Sequence, residues 1–168
     1  DIEGKLQEWI LNYNIIMELC DTDLSLELGK RKSGFSTDEL RDILKQLNVV
    51  FNIMSKNHII HRDLKLGNIL IKYTDETKTK FIPKLTDYGF SKDLNNCVTD
   101  THLGTPATMA PEIMQNKSYN EKADLWSLGV IIYQLHFKSL PYIGINEKQI
   151  LFKINSKVPY KQAEDPEL

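Results

Sequence analysis

Apolar residues at Leu40, Ile43, Leu44, Leu47, Val50, Phe51 and Met54 recur at helical spacing. They predict an amphipathic helix over residues 35–56, of about five to six turns. Its start is marked locally. Ser36 and Glu39 have capping-box spacing, with Phe35 and Leu40 at the staple positions. The stripe reads as core packing. Before it, residues 14–20 form a nearly continuous apolar run, expected to be a buried strand. Asp21, Thr22 and Asp23 break that run ahead of a short helix over 24–32, and residues 30–33 read as a solvated loop.

Beyond the long helix, residues 68–72 and 81–86 are strand candidates joined by the polar turn 73–80, a hairpin. The lysines of that turn read as solvation. Pro83 places the second strand at an edge or delays its start. Residues 87–112 show no periodicity and hold four threonines, two glycines, two prolines and a histidine. A stretch of that length without structure, inside a domain, is usually functional. Asn120 is a good N-cap for a helix from Glu121 to about Phe137. Leu125, Trp126, Leu128, Val130, Ile131, Ile132, Tyr133 and Leu135 make that helix apolar on nearly every side, so it is expected to be buried all round. Gly129 in its middle would allow close packing, and Trp126 and Tyr133 would be core. A last helix is predicted over 147–154. The fold class is α+β, mainly α-helical.

Composition narrows the possibilities. The chain has 168 residues, 41% hydrophobic and 26% charged, and a net charge of −2. That suits one domain with a sizeable core and argues against nucleic acid as a partner. Its two cysteines, Cys20 and Cys97, lack metal-ligand spacing, and a reducing, intracellular compartment is the default. No apolar run approaches the roughly 20 residues of a membrane span.

The chemistry concentrates in His61-Arg62-Asp63-Leu64-Lys65-Leu66-Gly67-Asn68, between the long helix and the hairpin. An aspartate on a rigid loop can orient a hydroxyl and accept its proton. A lysine two residues on can neutralise charge on a moving phosphoryl group, and an amide oxygen can ligate a divalent cation. The hairpin would fold a second carboxylate, Asp87, back beside Asn68. Asp plus Asn is a hard-oxygen pair suited to Mg2+. His61 reads as a packing and hydrogen-bonding residue, and His58, His102 and His136 have no ligand spacing.

These residues resemble the eukaryotic serine/threonine protein kinase family. His61 to Asn68 fits the catalytic-loop pattern H-R-D-L-x-x-x-N, Asp87-Tyr88-Gly89 the D-F-G pattern, and Ala110-Pro111-Glu112 the A-P-E pattern. Residues 124–129 look like the family's buried-helix signature. The resemblance covers residues 12 to about 154. It implies a kinase-like fold: a large helical lobe with a short catalytic-loop hairpin, ATP and Mg2+ as cofactors, and a protein substrate. Asp63 then looks like the catalytic base, Lys65 like the lysine that steadies the phosphoryl group, and Asn68 and Asp87 like Mg2+ ligands. Lys65 is also the residue that marks serine/threonine kinases in this family. Thr105 resembles the threonine that bonds Asp63 and Lys65. Met17 looks like the gatekeeper, Glu18 to Cys20 like the hinge, and Leu70 like the residue under adenine. The family uses the Cys20 backbone rather than its thiol. Residues 87–112 become the activation segment, with Thr101 as phosphosite and Arg62 and Lys92 as its receivers. Asp124 would brace the catalytic loop, and Glu112 would be structural. Phe90 would favour serine as acceptor, and Gly67 speaks against strong arginine selectivity.

Some features depart from the pattern. The sequence given has no G-x-G-x-x-G loop, no V-A-I-K lysine and no partner-glutamate helix. Residues 1–168 are therefore expected to be a partial kinase domain, hinge and large lobe, with the smaller lobe mostly absent. Such a segment is expected to have little or no phosphotransfer alone. Tyr88 for phenylalanine is mild. Thr108 stands where the family usually has an aromatic, so loop order or peptide binding would differ. Residues 25–32 and 63–68 look polo-like, while 85–92 and 123–129 look closer to the autophagy-initiating group. A pseudokinase or interaction module is the alternative, disfavoured because Asp63, Lys65, Asn68 and Asp87 are all present. A small-molecule phosphotransferase is disfavoured by the full activation segment.

Overall fold

The long helix forms where its cap and stripe place it. In a computed structural model, α2 runs Thr37–Lys56, and both halves of the capping box are made. Ser36 Oγ accepts from the Glu39 amide at 3.3 Å, and Glu39 Oε2 accepts from the Ser36 amide at 2.8 Å. Phe35 and Leu40 on either side of the cap are both buried, and the stripe continues through buried Ile43, Leu47 and Met54. The structure describes residues 15–88, the backbone of 92–93, and residues 105–156.

In chain order the described elements are β1 (Thr22–Asp23), α1 (Leu24–Lys30), α2, β2 (Ile59–Ile60), a 3-10 turn at Leu66–Asn68, β3 (Ile69–Tyr73), β4 (Phe81–Leu85), β5 (Lys92–Asp93), α3 (Pro111–Met114), α4 (Lys122–Phe137) and α5 (Glu147–Asn155). β3 and β4 form the expected antiparallel hairpin, with Ile69 opposite Leu85 and Ile71 opposite Pro83. The strand order is β1-β3-β4, so the proline strand is at the edge, where its missing N–H costs no ladder bond. A separate antiparallel pair joins β2 to β5. The turn between β3 and β4 is organised by Asp75, whose carboxylate accepts from the Thr79 and Lys80 amides. One core packs α1, α2, the hairpin and α4 through Leu24, Phe35, Leu40, Ile43, Leu47, Leu64, Ile69, Ile71, Ile131 and Leu135. Each such side chain, fully buried, contributes about 1.5–3 kcal/mol relative to exposure.

The entry to α2 is pinned to the end of α4. The Phe35 amide donates to the Leu135 carbonyl at 2.9 Å, and His136 Nδ1 meets the Phe35 carbonyl at 3.1 Å. At this crossing a Cβ on Gly34 would stand 1.7 Å from the His136 carbonyl oxygen, so only glycine fits.

Several expectations are corrected. Residues 15–20 are not a strand, and residues 15–19 are exposed, Ile16 by 97% and Leu19 by 83%. An apolar run becomes a buried strand only when a neighbour pairs its backbone and covers its faces. Among the described residues no strand does so, and pairing begins at Thr22 opposite Ile71. The first short helix stops at Lys30. Arg31 after it is not simply solvated: its guanidinium lies 3.7 Å from the Phe35 ring centre and bonds Glu39 at 2.7 Å. α4 is not buried all round. Ala123, Asp124, Ser127, Val130, Ile131 and Leu135 are buried, whereas Leu125 is 55% exposed. Gly129 has no described atom within reach of a Cβ, so it serves no close approach here. Trp126 is half-buried and stacks on Tyr142, and Tyr133 is half-buried against Phe137. α4 begins one residue late, with Asn120 Oδ1 accepting from the Lys122 amide at 3.0 Å.

Candidate active site

The loop leaving β2 is held from beneath by α4. Asp124 in the first turn of α4 is buried, and its two oxygens accept from the His61 amide at 2.8 Å and the Arg62 amide at 3.1 Å. Burial pushes the Asp124 carboxyl above its ordinary pKa, and these two bonds offset only part of that. Arg62 sits at φ 71°, a left-handed conformation that a side chain adopts only when the surroundings hold it. Its guanidinium reaches the Tyr119 hydroxyl at 3.4 Å. His61 is fully buried. Its Nε2 lies 2.9 Å from the Thr86 carbonyl, which can only accept, so the ring donates there. Nδ1 is then free to accept from the Asp63 amide at 3.3 Å. The Tyr88 ring packs 5.0 Å from the His61 ring, and burial, with the Asp124 charge, pushes its hydroxyl up.

This frame presents Asp63, whose carboxylate is only 4% exposed yet fully bonded. Oδ1 accepts from Thr105 Oγ1 at 2.8 Å. Oδ2 accepts from Lys65 Nζ at 2.6 Å and from Asn68 Nδ2 at 3.2 Å. Burial alone would push the Asp63 pKa up. The hydrogen bonds from Lys65, Thr105 and Asn68, with the Lys65 charge, more than offset it, so the carboxyl titrates below its ordinary value. Thr105 and Lys65 thus hold opposite oxygens of one carboxylate.

Asn68 is buried in the 3-10 turn, and its amide nitrogen also donates to the Asp63 carbonyl at 2.9 Å. That leaves its Oδ1 as an acceptor. The hairpin continues one step past β4, with the Thr86 amide donating to the Asn68 carbonyl at 3.0 Å. Asp87 follows directly, exposed and at φ 64°. An amide oxygen and a carboxylate are hard donors of the kind Mg2+ takes, so the pair fits that ion chemically.

Met17, Glu18, Cys20 and Leu70 come together. With Ile15 and Leu19 they line a groove of about 470 Å3 between the 15–20 stretch and β3. Glu18 is paired with Lys84 Nζ at 2.8 Å, and Cys20 is a free thiol. Glu112 lies in α3, half-buried, with its carbonyl accepting from the Lys117 amide. Thr101 and the Lys92 side chain fall outside the described residues, as do Gly89, Phe90, Cys97 and His102. Sequence reasoning did not foresee Ser127, whose hydroxyl donates to the Thr108 carbonyl at 2.7 Å, or the Thr86 carbonyl that fixes His61. Ser127 lies within the 124–129 signature, but neither contact has a signal of its own, because each is made to or by a backbone carbonyl of a distant segment.

Comparison with known proteins identifies the family. The family described as protein kinase domain matches residues 8–167. Human serine/threonine-protein kinase Nek5 is 36% identical over 144 residues, 83% of this chain and 20% of that protein. Arabidopsis thaliana serine/threonine-protein kinase ATG1b is 37% identical over 143 residues, covering 84% of this chain and 20% of its own length. Schizosaccharomyces pombe serine/threonine-protein kinase ppk11 is 35% identical over 147 residues, 86% of this chain and 45% of that protein. The chain therefore spans less than half the length of each of these relatives. With a buried aspartate held by lysine, threonine and asparagine, and a family match over nearly its whole length, the chain belongs to the eukaryotic serine/threonine protein kinase family.

Proposed function

We propose that the protein transfers the γ-phosphate of ATP to a serine or threonine hydroxyl of a protein substrate. The observation that carries this is the Asp63 carboxylate, held ionised and oriented by Lys65, Thr105 and Asn68. In this reading Asp63 orients the acceptor hydroxyl and takes its proton as the oxygen attacks phosphorus. Lys65, already beside Asp63, lies close enough to offset negative charge on the moving phosphoryl group. Thr105 fixes which Asp63 oxygen faces the acceptor. Asn68 and Asp87 would hold Mg2+, which when bound neutralises charge on the phosphates. The groove of Met17, Glu18, Cys20 and Leu70 would take the adenine, with backbone groups of 18–20 as hydrogen-bond partners. Asp124 keeps the loop in place by gripping its backbone from α4. Thr101, with Arg62 and Lys92 as receivers, would be the phosphorylated switch of an activation segment over 87–112, and Glu112 would anchor the end of that segment.

No helix among the described residues is long and apolar enough to cross a membrane. A reducing, intracellular setting goes with the free thiol of Cys20. The test is phosphate incorporation by the full-length protein, with Mg2+ and ATP, into serine- and threonine-containing peptides. Asp63→Asn, which keeps the shape of the side chain, is expected to lower kcat by about 10²–10⁴-fold. Undiminished incorporation by that variant, or phosphate appearing only on small-molecule acceptors, would overturn the reading.

A further inference from the structure

Asp63 is reached from α4 by a second route, distinct from the Asp124 brace. Asp124 and Ser127 are three residues apart and share one side of the helix. A buried serine inside a helix ordinarily bonds back to the carbonyl four residues earlier. Ser127 Oγ does lie 3.2 Å from the Ala123 carbonyl, but its closer acceptor, at 2.7 Å, is the Thr108 carbonyl. A hydroxyl has one hydrogen, and the shorter contact takes it. Thr108 is itself buried, 5% exposed. Its amide, at 3.0 Å, and its hydroxyl, at 3.3 Å, both donate to the Thr105 carbonyl. Thr105 Oγ1 then donates to Asp63. A continuous run of hydrogen bonds therefore joins the middle of α4 to Oδ1 of the Asp63 carboxylate. Residues 105–108 belong to no helix or strand, so nothing regular sets the position of Thr105.

We propose that Ser127 and Thr108 are positioning residues that hold Thr105 against Asp63, and that the Thr108 hydroxyl is the part of this device a bulkier residue could not supply. The inference rests on the phosphotransfer reading for its kinetic consequence, and on the hydrogen bonds alone for its structural one. A displacement of about 1 Å near reacting atoms can cost about 10²-fold in rate.

The test compares Thr108→Val, which keeps the shape and removes the hydroxyl, with Thr108→Ser, which keeps the hydroxyl, and with Ser127→Ala, all in the full-length protein. Two quantities are read below the unfolding transition: kcat with KM for ATP, and hydrogen exchange at the Thr108 and Met109 amides. Thr108→Val and Ser127→Ala are expected to lower kcat about tenfold with KM for ATP unchanged, and to speed exchange at both amides. Thr108→Ser is expected to restore both. A purely structural role would speed exchange and lower the melting temperature while leaving kcat alone, which would overturn the proposal. So would a fall in kcat that Thr108→Ser fails to reverse. If the wild-type protein phosphorylates no protein hydroxyl, the functional reading falls, and exchange decides the rest. Faster exchange in Thr108→Val, reversed in Thr108→Ser, sustains the holding role; unchanged exchange ends it.

Discussion

Asp63 and Asp124 are both buried carboxylates, and their surroundings push them in opposite directions. Asp63 accepts from a lysine, a threonine hydroxyl and an asparagine amide, and titrates below its ordinary value. Its contribution to stability is therefore present above the pKa of the unfolded chain and lost as pH falls through the lower folded value. Among the described residues Asp124 accepts from two backbone amides, and burial outweighs both these bonds and the nearby Arg62 charge. Its contribution is present at low pH and lost as pH rises through its raised folded value. Asp63 differs in having a cation bonded directly to its carboxylate, so removing Lys65 should narrow the difference. In Lys65→Met the remaining balance at Asp63 shifts toward burial, and its pKa should rise above the wild-type value. Carbon-13 titration of the Asp63 carboxyl measures this directly. An unchanged titration would mean that Thr105 and Asn68 alone hold the charge. The site was legible at this scale where its members are contiguous: Asp63, Lys65 and Asn68 lie within eight residues of one another. The sequence marks Thr108 as a departure and places Ser127 in the 124–129 signature, but the bond between them was not legible, because a carbonyl and a hydroxyl meet across 19 positions of sequence.

At the scale of elements, α2 and α4 show what pattern can and cannot say. α2 has one apolar stripe and one cap, and the structure uses both. α4 is apolar around its circumference, which by composition alone means burial on every side. Its buried residues nevertheless fall on one side, with Leu125 and Gly129 turned away from the described core. Pattern reports what a surface would tolerate; only the neighbours decide what covers it. Residues 15–20 depart from their expected strand for the same reason. An apolar run records a demand for cover, and the described residues leave Ile15, Ile16 and Leu19 uncovered. The two sides of α4 make a measurable contrast. Ile131 is fully buried in the core with Leu135, so Ile131→Ala should cost about 2–5 kcal/mol in urea denaturation. Leu125→Ala should cost less than about 1 kcal/mol. Equal losses would show that α4 is enclosed on both sides in solution.

Across the whole molecule, polar contacts tie together elements that the hydrophobic core alone would leave free to slide. Tyr73 at the end of β3 donates its hydroxyl to Glu27 of α1 at 2.7 Å. Arg31 pairs with that same Glu27 and with Glu39 at the start of α2. Lys138, just past α4, donates to the Arg31 carbonyl. The hairpin, both early helices and the end of α4 are thus joined through one arginine and its acidic partners. The Glu27–Arg31 pair has the i,i+4 spacing of a helical ion pair, but the other bonds were not legible from spacing, since each depends on the packing that brings the elements together. Tyr73 offers the cleanest handle on it. Burial, then the bond to Glu27 and the charges of Glu27 and Asp21, push its pKa up to about 12 from 10.0. A raised pKa on a phenol means that the fold favours the protonated form. Its stabilisation is complete below pH 10.0 and drains away as pH climbs toward the folded value. Tyr73→Phe removes the bond and the titration together. At about pH 8 the variant should be less stable by about 1 kcal/mol, the size of a partly exposed hydrogen bond. Between about pH 10 and about pH 11.5 that gap should narrow, because the wild type loses what the variant never had, while every other titrating group is common to both. Urea denaturation of the pair across this range measures it, and a gap that stays constant with pH would show that Tyr73 does not couple the hairpin to α1 in solution.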